Sequence, residues 1–461
     1  MDQKHSFTRK LLAIALGIVA MLLTAPLLAI DLGDVDTDNE VQTATGSYID
    51  IICPKMAAIQ ERLTEAQTRL FRRCGGAKFN QEGEGFELSE TADVLQRLSP
   101  EESLTAGSSR TDTALKNQIE TRFSNIRAGV SGVSIGGIQW SGQTGGTAGA
   151  DGFSRWGFFL NGVYDTGDKD ADKNENQFDF DGYGITTGID YRLTDHLVAG
   201  IAYSYMDTDA DINDKKGTVS SSSAGAGKGE QSSESNTVAL YGTYFDDNFY
   251  IDGSFGYSSI DLDGERSIQY GLVDQTALMD TDGEQITFSL GGGFNQKLGG
   301  AWNARYYARL DYVDVEIDGY REKSKETTAA GADPLDVTAD KDSLIMEIGD
   351  QDIESLQSVL GLDFTYVMST DFGVLTPYAR AQWHHEFKDD SRRITAKYIF
   401  DPTSDEMQFR SNAADEDYFG ISLGINSVLR EGMQIFANYD TVLGLDNVSH
   451  HIFTAGFRIE F

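Results

Sequence analysis

Cysteine, proline, tryptophan and histidine are all scarce in this sequence, with 2, 6, 4 and 6 copies in 461 residues. Two cysteines are too few for a four-ligand structural metal centre on their own. Basic residues are also sparse, since 37 Lys and Arg face 73 Asp and Glu for a formal charge of −36. The first 29 residues contribute Asp2, Lys4, Arg9 and Lys10, a sum of +2, which leaves −38 on the rest. A chain of that sign repels phosphate backbones, which excludes nucleic acid as a partner. Long apolar runs are missing after residue 29. None reaches the roughly 18 residues of a spanning helix, so any entry into a membrane has to be by strands. What is present is an apolar fraction of 40% and an aromatic fraction of 11%, too much for a disordered acidic chain. Together, 49 Gly, 20 Tyr and 25 Phe favour strands and turns over helices, so an all-β architecture is expected.

Residues Leu11 to Ala29 carry no charge, follow the basic Lys4, Arg9 and Lys10, and precede the acidic stretch opening at Asp31. That order is a secretory signal peptide over residues 1–29, with a retained membrane helix as the rival reading. An exported chain meets an oxidising compartment, so Cys53 and Cys74 are expected to form one disulfide. The segment between them, with Met56, Ile59, Leu63, Ala66 and Leu70, has helical spacing. One unbroken helix would hold the sulfurs about 30 Å apart, too far to bond. A break is therefore required, and Thr64 with Gln67 supplies a capping box at which a second helix begins.

Helical spacing returns from Glu87 to Leu104, where Ser99-Pro100-Glu101-Glu102 has the order of an N-cap, a first-turn proline and a capping-box glutamate. A further helix is predicted from about Asp112 to Arg127, with Leu115, Ile119, Phe123 and Ile126 on one stripe. A Gly/Ser/Thr-rich linker, Ala128 to Asp151, follows. The chain thus divides into a helical passenger or periplasmic region over 30–111, a linker helix and linker over 112–153, and a β domain over 154–461. At that last boundary the apolar period changes from 3.6 to 2.

Alternation is clear in Ile286, Phe288, Leu290, Gly292 and Phe294, and again in Trp302, Ala304, Tyr306, Ala308, Leu310 and Tyr312. The opposite face of that second segment carries Asn303, Arg305, Tyr307, Arg309 and Asp311. A soluble sandwich also alternates, so the connections have to decide. Twelve strands are predicted near 154–165, 177–191, 196–208, 235–245, 248–261, 284–297, 301–319, 351–368, 372–387, 417–429, 432–443 and 449–461. Links after the even strands are short, as at Asp246-Asp247 and Arg430-Glu431, and most links after the odd strands are long, as at Tyr320 to Asp350. An even count, strands of ten or more residues and sorted links describe a transmembrane antiparallel barrel with periplasmic turns and external loops.

Particular segments carry a resemblance. Arg155-Trp156-Gly157-Phe158-Phe159-Leu160-Asn161-Gly162, Gly188-Ile189-Asp190-Tyr191-Arg192-Leu193 and Thr376 to Phe387 (TPYARAQWHHEF) resemble strands of the autotransporter β-domain of type V secretion. The ending Thr454-Ala455-Gly456-Phe457-Arg458-Ile459-Glu460-Phe461 is similar to the family's terminal strand. The resemblance implies a twelve-stranded barrel that carries a passenger to the cell surface, with a helix inside the lumen before the first strand. It further implies that Gly456, Ile459 and Phe461 belong to the assembly signal read by the outer-membrane insertion machinery. Only about Asp31 to Thr111 is available as a passenger.

Inward charges on Arg305, Arg309, Asp311, Arg380, Glu386, Arg458 and Glu460 are expected to line the lumen. They either pair with one another or receive the linker helix through Lys116, Glu120, Arg122 and Arg127. Other motifs read as background. Gly132-Val133-Ser134-Ile135-Gly136 has the nucleophile-elbow spelling but sits in the low-complexity linker, without the strand-to-helix turn that would expose the serine. Gly227-Lys228-Gly229 lacks the Ser or Thr of a phosphate loop. Asp168, Asp170 and Asp172, like Asp207, Asp209 and Asp211, read as solvated loop carboxylates, with weak divalent-cation bridging to lipid headgroups as the sharper alternative. Adjacent His384 and His385 point to opposite strand faces, as do His450 and His451, so neither pair makes a two-histidine metal site.

The expected protein is a non-enzymatic translocator-type barrel in the outer membrane of a Gram-negative bacterium, with no catalytic residue, metal or cofactor. Its expected partners are outer-membrane lipids and the insertion machinery. A structural or adhesive surface protein working through acidic loops, and a narrow porin-like channel, are the alternatives.

Overall fold

The computed structural model describes residues 32, 37, 40–79, 91–100, 155–170, 177–213, 228–246, 248–333, 336–429 and 433–460. The expected signal peptide, the predicted helix 112–127, the linker 128–151 and Phe461 lie outside these residues.

The strands in chain order are β1 (Trp156–Lys169), β2 (Gln177–Thr194), β3 (Leu197–Asn213), β4 (Lys228–Phe245), β5 (Phe249–Tyr270), β6 (Val273–Gly299), β7 (Trp302–Ile317), β8 (Tyr320–Arg321) and β9 (Lys323–Ser324). They continue with β10 (Met346–Ile348), β11 (Gln351–Tyr366), β12 (Met368–Thr370), β13 (Gly373–Glu386), β14 (Arg393–Tyr398), β15 (Met407–Arg410), β16 (Asp417–Leu429), β17 (Gln434–Leu443) and β18 (Val448–Glu460). Twelve of them, β1 to β7, β11, β13 and β16 to β18, form one antiparallel sheet in which each pairs with its neighbours in sequence. Pairing of β1 with β18, in register Gly157↔Glu460 to Lys169↔Val448, closes the sheet into a barrel. Closure leaves no free edge, which is what a sheet needs in hydrocarbon. Among the described residues, no helix is long and apolar enough to cross a membrane.

The barrel polarity inverts along the strands, and β7 shows where. Its outward residues run Trp302, Tyr306, Leu310 and Tyr312 and then become Asp314 and Glu316. Its inward residues run Arg305, Tyr307, Arg309 and Asp311 and then become Val313, Val315 and Ile317. Apolar-out, polar-in segments face lipid and a wet lumen, whereas polar-out, apolar-in segments face water and a packed interior. The ten-residue interval from Trp302 to Tyr312 covers about 33 Å along the strand, or about 25 Å after a tilt of ~40°, the height of an outer-membrane apolar band. Tilted aromatic pairs mark the short-turn end, with the ring centroids of Trp156 and Tyr191 4.8 Å apart and those of Trp302 and Tyr366 also 4.8 Å apart.

Strands on the other side of the inversion run beyond their predicted ends. Instead of a loop over 262–283, β5 and β6 continue as a ribbon to a turn at Gly271, whose φ of 54° lies in the left-handed region. Residues Asp261, Leu262 and Asp263 still alternate there, but Leu262 now points in, so the lipid-facing pattern used to define strands has the opposite sense. Strands β15, β14, β10 and β8, all within stretches read as loops, make a separate four-stranded sheet above the barrel.

Among the described residues, three helices lie N-terminal to the barrel, α1 (Glu40–Ala58), α2 (Glu65–Phe79) and α3 (Thr91–Leu98). Between α1 and α2 the chain breaks at a short 3₁₀ turn, Gln60–Arg62. The capping box forms as expected, with the Gln67 N–H donating to Thr64 Oγ1 at 3.3 Å and the Thr64 N–H to Gln67 Oε1 at 2.9 Å. Folding back at this break brings Cys53 and Cys74 into a disulfide with their Cα atoms 5.6 Å apart. Gly46 sits where Leu32 crosses α1, since a Cβ there would stand 2.4 Å from the Leu32 carbonyl oxygen. Helix α3 runs to Leu98, and the Ser99 hydroxyl donates back to the Leu95 carbonyl at 2.7 Å, while Glu101, Glu102 and Leu104 lie outside the described residues.

A closed barrel resists unfolding until heated. Purified protein in mild detergent is expected to migrate differently in gel electrophoresis with and without boiling; identical migration would rule out the closed sheet.

Candidate functional site: the external crown and the lumen

The end of the barrel that carries the long connections also carries the three helices. Val41, Tyr48, Ile52, Met56, Leu95 and Leu98 share one buried core with Ile268 and Tyr270 of the β5–β6 ribbon and with Ile348, Ile394, Tyr398 and Phe409 of the small sheet. The helical unit and the external loops are therefore one packed body.

Polar contacts within this core are long-range. Tyr48 donates its hydroxyl to Asp401 Oδ2 at 2.7 Å and accepts the Tyr398 N–H at 3.3 Å. Burial, reinforced by the neighbouring Asp401 carboxylate, pushes the Tyr48 phenol above its ordinary value, so it stays protonated and donates. Tyr398 in turn donates to the Leu98 carbonyl at 3.0 Å, meeting an otherwise unpaired end of α3. Its own phenol is raised by burial. Arg266 of β5 closes the same helix end, with Nη1 3.2 Å from the Ser99 carbonyl and 3.4 Å from the Arg97 carbonyl. Its other donors form a two-pronged pair with Glu322, at 2.9 and 2.6 Å, and both residues are buried. Glu322 also accepts the Met346 N–H at 2.7 Å. On the far side α2 brings Arg69 2.8 Å from Asp342 and Arg73 2.5 Å from the buried Asp340. At the rim Lys55 meets Asp405 at 2.5 Å, and this hydrogen bond holds the Asp405 carboxyl below its ordinary value.

Below the crown the lumen holds a second network. Asp363 of β11 is shared between Arg305 of β7 and Arg380 of β13, the latter at 3.1 Å. The Arg305 guanidinium lies over the Tyr250 and Tyr307 rings at 5.8 and 5.6 Å, and that of Arg380 over Tyr378 at 5.7 Å. Higher up, Arg309 pairs with Asp311 at 2.8 Å, and Ser289 donates to the same carboxylate. Glu386 accepts the Ser355 hydroxyl at 2.6 Å and the Leu356 N–H at 2.8 Å. Near the short-turn end Arg458 faces Asp190 at 3.8 Å.

The residues singled out in the sequence therefore fall at three depths, and the structure does not gather them into one site. Lys116, Glu120, Arg122 and Arg127 lie outside the described residues, as does the side chain of Glu460. Gly456 pairs with Asn161 across the barrel seam, and Ile459 is outward and partly exposed. His384 is inward and stacked on Tyr418 at 4.5 Å, while His385 is outward beside Asp417. His450 is inward against fully buried Asp165 at 3.3 Å, and His451 stacks on Tyr439. Asp207, Asp209 and Asp211 sit on the outward face of a strand, not on a loop, and Asp209 and Asp211 stand opposite Asp181 and Asp179. Asp168 likewise sits at the end of β1. The crown residues Arg266, Glu322, Asp340, Asp342 and Tyr398 were missed because each lies in a stretch read as loop. Asp363 was legible in principle as the one inward carboxylate of its strand segment.

Known proteins resemble this chain over much of its length. The family described as autotransporter beta-domain matches residues 158–440. Esterase EstA of Pseudomonas aeruginosa is 22% identical over 301 residues, 65% of this chain and 42% of that protein. Lipase 1 of Photorhabdus luminescens is 23% identical over 264 residues, 55% of this chain and 34% of that protein. The chain thus spans well under half the length of these relatives. Among solved structures, the translocator domain of the autotransporter NalP from Neisseria meningitidis is similar over 76% of this chain and 98% of that one, with a TM-score of 0.48 and 14% identity.

Proposed function

The chain belongs to the autotransporter β-domain family, and from that membership we propose that it holds its own helical N-terminal unit at the outer face of the membrane as a fixed cap. In this reading it is an outer-membrane translocator barrel of a Gram-negative bacterium, and it displays the unit without catalysing a reaction. The activities in the relatives' names belong to those proteins, of which this chain spans only a part. Outer-membrane lipids and the insertion machinery are its partners.

The observation that carries the reading is the shared core of α1 and α3 with the long-connection end of the barrel, tied by Arg266 and Glu322. Connectivity adds to it. Helix α3 ends at that outer end, whereas β1 begins at the short-turn end, so residues 101–154 have to connect opposite sides of the bilayer. Fifty-four residues exceed the reach needed for the ~30 Å apolar layer several-fold.

Inserting a short epitope into the exposed Gln60–Arg62 turn tests the placement. Antibody is expected to label intact cells as strongly as permeabilised ones. Labelling that appears only after permeabilisation would overturn the proposal.

A further inference from the structure

We propose that His385, Glu416 and Asp417 form a divalent transition-metal site on the outward face of the barrel's external rim, with Zn²⁺ as the ion that fits. No step of the display reading uses these residues.

Strand pairing sets the site up. His385 near the end of β13 stands directly opposite Asp417 at the start of β16, and His385 Nδ1 lies 3.0 Å from Asp417 Oδ1. One donor atom from each of His385, Glu416 and Asp417 falls within 4.8 Å of the others, close enough for a single ion to bridge all three. Neighbours orient the imidazole and the Asp417 carboxylate. The imidazole is wedged against Phe387, edge to face at 4.7 Å, and against Trp383 at 5.7 Å. Trp383 Nε1–H donates to Asp417 Oδ1 at 2.8 Å, an outer contact of the kind that turns a ligating carboxylate. The Glu416 backbone is held by its carbonyl, which accepts the Glu386 N–H at 2.8 Å. Lys388, three residues beyond His385, is engaged with Glu354.

The donor set decides the class of ion. Mg²⁺ and Ca²⁺ take oxygen ligands, whereas one imidazole nitrogen beside two carboxylates suits a borderline ion such as Zn²⁺. This separates the site from the purely acidic ladders of β2 and β3, which offer oxygen alone. Three protein ligands leave at least one position open to water or to an anionic headgroup oxygen, as in an open zinc site. A bound ion would tie β13 to β16 where their pairing ends, below the long segment that carries β14 and β15.

Calorimetric titration of the full chain in detergent with ZnCl₂, in millimolar excess of MgCl₂, tests this. One Zn²⁺ per chain is expected to bind in spite of the Mg²⁺. Affinity should fall at least about tenfold in His385→Ala and in Asp417→Asn, with heat-dependent migration retained. Should His385→Ala fail to assemble, His385→Gln, which keeps a polar side chain of similar length, reads the same loss. Zn²⁺ uptake that Mg²⁺ abolishes, no uptake at all, or equal uptake by the His385 variants would overturn the proposal.

Discussion

Arg266→Ala is expected to free the helical unit from the crown. The substitution removes the partner of buried Glu322 and two donors to the end of α3 in one step. Breaking one side of a buried ion pair costs about 3 to 5 kcal/mol, because the remaining charge stays desolvated and unpaired. That is large beside the roughly 5 to 15 kcal/mol by which native proteins are stable. Trypsin cleavage near Arg62, already exposed in the 3₁₀ turn, should accelerate markedly, while the barrel keeps its heat-dependent migration. A double variant, Arg266→Met with Glu322→Leu, should recover part of the loss, since no orphaned charge remains. Unchanged proteolysis in Arg266→Ala would mean that the apolar core alone holds the cap.

Asp363→Ala is expected to act on the barrel and leave the cap docked. One carboxylate serves both Arg305 and Arg380, so its removal leaves two guanidinium groups facing each other in the lumen wall. The loss is again about 3 to 5 kcal/mol if the arginines cannot reach water. It should appear as a lower temperature at which the compact and unfolded gel bands merge. Asp363→Asn keeps a hydrogen-bond acceptor but not the charge, and should restore little. A transition temperature equal to that of the unsubstituted protein would show that lumenal water screens the arginines.

Much of the architecture was legible because lipid imposes a simple rule on neighbouring residues. Trp302, Tyr306 and Leu310 must face out and Arg305, Arg309 and Asp311 must face in, so a period of two identifies the strand from local sequence. Sorting of short and long links then gave twelve strands and their orientation, and the observed sheet has that number and neighbour order. The Cys53–Cys74 pair was equally readable, since helix geometry demanded a break and Thr64 with Gln67 marked it. Beyond the bilayer the rule reverses. Leu262 turns in and Asp263 turns out, so the β5–β6 ribbon passed for a loop.

Tertiary structure alone decided what meets what. Arg266 and Glu322 are 56 residues apart, and Tyr48 lies 353 residues from Asp401, so no local pattern relates them. His385 meets Asp417 only because the β13–β16 register puts them opposite one another, and a slip of one residue would turn one of them to the other face. Composition and periodicity determined that this chain is a closed outer-membrane barrel with a stapled helical segment before it, because which face meets lipid is a property of adjacent residues. Where that segment docks and which carboxylate answers which arginine were set by barrel closure, which brings distant strands to one rim at a register that periodicity does not record.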